Sequence, residues 1–151
     1  MSDNSQAMVS LRELDKTNYR DILKLSVNAN QKGFVATNAI SIAQAYFHKK
    51  AWFRGVYAGE EAVGFAMLEI DTKKPEYYLW RFMIDERFQN KGYGYQAMKL
   101  LIEQVKNLPQ ANEFLLSYVP GEGNPKEFYE KLGFEETGEI EDGELIMSLK
   151  L

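Results

Sequence analysis

The 151-residue sequence contains no cysteine and a single histidine, His48. The missing thiols exclude disulfides, zinc–thiolate sites, iron–sulfur clusters and a cysteinyl nucleophile. One imidazole argues against serine–histidine catalysis and against a multi-histidine metal centre, so no metal is expected. No apolar run approaches the ~20 residues needed to cross a bilayer. Residues 1–6 are polar and lack the basic and apolar regions of a signal peptide. A basic excess is missing too. Eighteen Lys and Arg stand against 22 Asp and Glu, a net charge of −4, so a long basic stripe for nucleic acid is not expected. A mild negative charge suits a cationic substrate, although solubility alone accounts for it. These absences set the expectation of a cytoplasmic protein with no nucleic-acid or membrane partner. What is present is ordinary for a globular protein: 45% hydrophobic and 26% charged residues. At this length the prior is a single domain, residues 1–151, with one sizeable core.

Periodicity sets the elements. Residues 9–14 alternate apolar and polar and read as a half-buried strand. Asp15 or Thr17 is placed to cap a helix carrying Tyr19, Ile22, Leu23 and Val27, broken by residues 28–33. A second helix follows Asn38. Residues 52–57 and 62–70 read as strands joined by a tight turn, and the aromatic run 77–84 as a central strand buried on both faces. Met98, Leu101, Val105 and Leu108 recur at helical spacing before Pro109. Residues 113–119 form the next strand. Asn124 and Pro125 open a short helix that Gly133 ends. Residues 134–141 and 144–149 flank Asp142-Gly143, a hairpin signal. The order β-α-α-β-β-β-α-β-α-β-β predicts an α/β (α+β) fold with a mixed, largely antiparallel sheet of about seven strands flanked by helices.

Two segments carry chemistry. Gln89-Asn90-Lys91-Gly92-Tyr93-Gly94 lies between a predicted central strand and a helix. Glycines there let the chain turn tightly and expose successive N–H groups at a helix N-terminus, an anion site suited to a pyrophosphate. Lys91 would add a point charge. An ordinary glycine-bearing turn fits the same letters. Residues 92–97 also satisfy the loose dinucleotide pattern G-x-G-x-x-G/A, but the acid at the right distance, Glu113, opens the next strand instead of ending it, which disfavours that fold. The second segment runs from Asn124 to Phe134. Phe128 and Leu132 share a helix face, and Tyr129 points off it, which by itself is ordinary for a half-buried tyrosine.

Taken together, the chain resembles the GNAT superfamily of acyl-CoA-dependent N-acetyltransferases. Gln89, Gly92 and Gly94 match the family's Q/R-x-x-G-x-G/A motif. Asn124, Tyr129, Gly133 and Phe134 match its asparagine followed by a helix ending in Y-x-x-x-G-F. The resemblance implies acetyl-CoA as cosubstrate. It places Phe82, Met83 and Ile84 along the pantetheine arm, residues 89–95 (Gln89, Asn90, Lys91, Gly92, Tyr93, Gly94 and Tyr95) at the pyrophosphate, and Asn124 against the cofactor. Tyr129 is placed beside the thioester sulfur, as the catalytic phenol. The implied chemistry is direct attack of an amine in a ternary complex, with a main-chain N–H near Met83 facing the developing oxyanion.

Some family members carry a glutamate base on the fourth strand. Residues 77–82 contain no carboxylate, which leaves Glu69 and Glu76 as the nearest candidates, acting through water. The sequence is most similar to small bacterial spermine/spermidine acetyltransferases, on Phe34-Val35-Ala36-Thr37-Asn38, Ala43-Gln44-Ala45-Tyr46 and the run from Tyr78 to Asp85. A polyamine needs carboxylates and aromatic faces. Glu69, Asp71, Glu76 and Trp80 are therefore the expected acceptor contacts, although strand-end charges of this kind are commonly just solvated. His48 reads as a surface residue at a helix end. The alternatives are acetylation of a protein N-terminus, a lysine or an aminoglycoside, or a CoA-binding sensor without useful turnover. Family members are often dimers, and the last hairpin offers edge strands, so a homodimer is among the expectations.

Overall fold

A computed structural model describes residues 8–27 and 36–151. The polar N-terminus, the break at 28–33, and Phe34 and Val35 of the resemblance lie outside those residues. The described elements are β1 (Val9–Arg12), α1 (Tyr19–Leu23), α2 (Asn38–Tyr46), β2 (Ala51–Ala58), β3 (Glu61–Asp71), β4 (Glu76–Ile84), α3 (Tyr93–Lys106), β5 (Glu113–Tyr118), α4 (Lys126–Lys131), β6 (Glu135–Glu141) and β7 (Glu144–Lys150). A 3₁₀ turn, Glu86–Phe88, follows β4.

The strands form one seven-stranded sheet in the order β1-β2-β3-β4-β5-β7-β6. Neighbours are antiparallel except β4 and β5, which run parallel and are joined through α3, as a parallel pair requires. The expected mixed sheet is therefore the one observed. Its core has two sides. On one, α3 lays Tyr93, Ala97, Met98, Leu101 and Val105 over Leu79, Phe114, Leu116, Phe134 and Met147. On the other, Ile22, Leu25 and Val27 meet Tyr57, Phe65, Met67 and Met83.

Several boundaries differ from the periodic reading. The first strand stops at Arg12. Asp15 folds its carboxylate onto the Thr17 N–H, 2.8 Å, making a turn in place of a helix cap. The helix after it is only five residues long, and Val27 lies beyond it. Leu108 likewise lies past the end of α3. The Asp142-Gly143 turn is formed, with φ of 50° and 81°, the left-handed pair that a two-residue hairpin needs.

Two irregularities position the site. Met67 pairs with Arg81 and Leu68 with Leu79, so Trp80 is an extra residue in β4. Such a bulge twists the strand and re-aims its side chains. The β4–β5 ladder is short: Tyr78 faces Leu115, Leu79 faces Leu116, and pairing then ends. Beyond that point β4 is paired only with β3, and its other edge is open along residues 80–84.

Candidate active site

A cavity of about 1130 Å³ occupies this split. It is large for a small-molecule pocket. Its walls come from both sides of the sheet because the split lets one space run through. The β4 residues Trp80, Arg81, Phe82, Met83 and Ile84 line one flank. Phe82 stacks on Phe128 of α4, ring centres 6.3 Å apart and planes 11° apart.

At one end lies the glycine loop. The amide of Gln89 donates to the Ile84 carbonyl at 2.8 Å, tying the loop to the end of β4. Asn90 and Gly92 adopt left-handed φ of 64° and 83°, a conformation costing a non-glycine residue about 1–2 kcal/mol. Gly94 faces Phe128 and Ile84, leaving a Cβ only ordinary contact room. The first intrahelical bond of α3 runs from the Gln96 N–H to the Gly92 carbonyl. The amides of residues 93–95 therefore have no intrahelical acceptor, and they sit where the helix dipole is positive.

Asp85 braces this end from below. It is 2% exposed and accepts from Ser26 N–H at 2.9 Å and from the Arg87 guanidinium at 2.8 Å. Burial works to raise its carboxyl, but the hydrogen bonds from Arg87 and Ser26 and the Arg87 charge outweigh it and hold it below the usual range. The β4 terminus is thereby locked to the segment leaving α1.

Tyr129 is 7% exposed and lies edge-on to Phe128 at 5.2 Å and to Phe134 at 5.8 Å. Its backbone carbonyl accepts the Phe134 N–H at 3.2 Å, and Gly133, at φ 102°, makes the turn that permits it. Burial pushes the phenol far above its ordinary value, so it stays protonated. Asn124 also lines the cavity. Its carbonyl oxygen accepts from the Lys126 N–H at 2.9 Å and its amide donates to Gly121 at 2.6 Å. It thus stabilises the entry to α4, one residue before the Pro125 cap.

The structure brings Trp80, Phe82, Met83, Ile84, Gln89, Asn90, Gly92, Tyr93, Gly94, Tyr95, Asn124 and Tyr129 onto one cavity. Lys91 is not on its wall. Nor are Glu69, Asp71 and Glu76, which stand around the β3–β4 turn. Asp71 pairs with Lys50 Nζ at 2.7 Å and accepts the N–H groups of Lys73 and Lys74 at 3.0 Å. The Lys50 hydrogen bond first, then those amides, lower its carboxyl to about 2. Its visible work is to hold the turn. Glu69 pairs with Tyr78 in the β3–β4 register, but the carboxylates at the cavity are others: Glu141, Asp142 and Glu144. Periodicity could not find them, because they reach the site only through the β5-β7-β6 order. The Asp142-Gly143 turn was the one available signal. His48 packs edge-on against Trp80, centres 5.1 Å apart. Among the described residues no three His, Asp or Glu side chains gather as a metal site, and no helix is long and apolar enough to cross a membrane.

A family model described as the Acetyltransferase (GNAT) family matches residues 8–134. The chain is 29% identical over 153 aligned residues to the spermine/spermidine N(1)-acetyltransferase of Bacillus subtilis (strain 168), covering 95% of this chain and 99% of that protein. Among solved structures it is similar to the ribosomal-protein-S18-alanine N-acetyltransferase of Escherichia coli, with a TM-score of 0.71 and 18% identity over 95% of this chain and 94% of that one. It is also similar to the PaiA N-acetyltransferase of Thermoplasma acidophilum in complex with coenzyme A, with a TM-score of 0.70 and 17% identity over 95% and 99% of the two chains. At those identities the structural likeness is one of fold.

Proposed function

The chain belongs to the GNAT acetyltransferase family, and we propose that it transfers the acetyl group of acetyl-CoA to a primary amine of a polyamine, spermidine or spermine, by direct attack with both substrates bound. Family membership supports amine acetylation in general; the polyamine is the finer reading. One observation carries it. A single cavity joins the glycine loop to a far wall bearing the Glu141 and Asp142 carboxylates and the Tyr78 and Trp80 rings. A polyamine presents ammonium groups spaced along an apolar chain, which carboxylates and aromatic faces complement. The acceptor class named for the Bacillus relative supports the same choice.

The residues fit acetyl-CoA. The open β4 edge from Trp80 to Ile84 offers main-chain groups to an extended amide-bearing arm, Phe82 and Phe128 give it an apolar wall, and the free amides of residues 93–95 suit phosphates. When bound, acetyl-CoA supplies an activated acyl carbon and a thiol leaving group. Tyr129 would donate a hydrogen bond to the departing sulfur and keep its proton, since a phenol near ~10, raised further by burial, is a weaker acid than a thiol near ~8.5. The absence of cysteine excludes a cysteinyl acyl-enzyme.

The double substitution Glu141→Gln and Asp142→Asn tests acceptor recognition. Both side chains are exposed on a hairpin tip, so the fold should tolerate it. The KM for spermidine should rise about 10-fold, as for one or two lost ammonium contacts, with the KM for acetyl-CoA unchanged. An unchanged spermidine KM would remove this wall from the acceptor site.

A further inference from the structure

The one carboxylate of β4, Glu76, stands at the β3–β4 turn and off the cavity wall, so the strand brings none to the cavity to take the proton that a primary amine must lose. The structure offers a different route, and it rests on the acetyltransferase reading above. Tyr78, Ser117 and Glu144 all line the cavity. The Tyr78 hydroxyl donates to Ser117 Oγ at 2.5 Å, and Ser117 Oγ donates to Glu144 Oε1 at 2.7 Å. Chemistry fixes the direction. An ionised carboxylate can only accept, so the one Ser117 proton points to Glu144, and the Ser117 oxygen is left to accept from Tyr78. The Tyr78 oxygen keeps its lone pairs for another donor. The three groups lie at one end of the split: the last β4–β5 pairs are Tyr78–Leu115 and Leu79–Leu116, so Tyr78 and Ser117 flank its closed end.

We infer that Tyr78, Ser117 and Glu144 form a proton relay, Tyr78 accepting the proton of the attacking amine and Glu144, contributed by β7, storing it. As the amine nitrogen bonds to the acyl carbon, its proton passes to the Tyr78 oxygen. The Tyr78 proton passes to Ser117, and the Ser117 proton to Glu144 Oε1. The C–S bond breaks, sulfur leaves as thiolate, and Glu144 later releases its proton to water. Tyr78 is the catalytic residue; Ser117 and Glu144 are positioning residues behind it.

The surrounding charges suit a neutral link ending in an anion. Burial foremost, with the Glu144, Glu141 and Glu69 charges against the opposing Ser117 bond, keeps the Tyr78 phenol above its ordinary value. Arg81 of β4 lies within electrostatic reach of Glu144, and Asp142 lines the same cavity from the hairpin turn.

The test is kcat against pH, from about 6 to about 10, for the full chain and for Ser117→Ala, Ser117→Thr and Glu144→Gln, with acetyl-CoA affinity by calorimetry. Ser117→Ala and Glu144→Gln should lose about 100-fold in kcat near neutrality, the scale of one general base, and recover as pH rises and hydroxide substitutes. Ser117→Thr, which keeps the hydroxyl, should restore the unaltered profile, and acetyl-CoA affinity should stay constant throughout. Unaltered profiles in Ser117→Ala and Glu144→Gln would overturn the relay while leaving the enzyme intact. So would losses that are equal at all pH values or that follow acetyl-CoA affinity. No turnover by the unsubstituted chain with any amine would overturn the underlying reading, and the relay with it.

Discussion

Tyr129 illustrates how much one hydroxyl can be asked to do. Its ring is fixed by Phe128 and Phe134, and among the described residues no side-chain hydrogen bond holds its oxygen. Removing that oxygen should therefore leave the packing alone. Tyr129→Phe is expected to lower kcat by about 10- to 100-fold, the worth of a hydrogen bond to a charged atom, with acetyl-CoA affinity and thermal midpoint nearly unchanged. Undiminished turnover would exclude the phenol from the chemistry. At this scale the glycine loop and Tyr129, which line one cavity, were legible in advance. Gln89, Gly92, Gly94 and Tyr129 carry local signals, because a left-handed turn and a helix C-cap depend on neighbours in sequence. The carboxylates lining that cavity were not. Glu69, Asp71 and Glu76 are close in sequence and in space, yet Lys50, just before β2, engages Asp71 at the turn, and nothing local announces that pairing.

Strand β4 shows how an element builds a site through its defects. The extra residue Trp80 and the early end of the β5 ladder open the edge on which the cavity depends. Composition marked β4 as central and aromatic, but a bulge is a relation between two strands and leaves no periodic trace when the run is apolar on both faces. Gly64 is a second hidden support. A Cβ there would run into the Met83 carbonyl oxygen and lie 2.8 Å from Ile84 Cδ1. The backbone contact cannot swing aside, so β3 and β4 approach this closely only because residue 64 is glycine. Gly64→Ala should destabilise the fold by about 1–3 kcal/mol, as overpacking does, and weaken acetyl-CoA binding by displacing Met83 and Ile84. Urea unfolding and a binding isotherm would show it. A variant as stable as the parent would mean that the strands can part without consequence.

For the whole molecule, the sheet order decides what meets at the cavity. Placing β7 between β5 and β6 carries Glu141, Asp142 and Glu144, from the last dozen residues, to a split defined by β4 and β5. The strand count and the mixed character of the sheet followed from alternation and turn residues; the insertion of β7 beside β5 is a long-range choice that those signals do not encode. The result is one cavity lined by the glycine loop and by those carboxylates. That combination predicts an enzyme that joins a phosphate-bearing acyl donor to a cationic acceptor. The most direct measurement is steady-state CoA release from acetyl-CoA, with spermidine, spermine, a lysine-bearing peptide and an aminoglycoside compared side by side. Saturable turnover with the two polyamines, and little with the others, is the predicted result. Tight acetyl-CoA binding with no turnover of either polyamine would contradict the assignment.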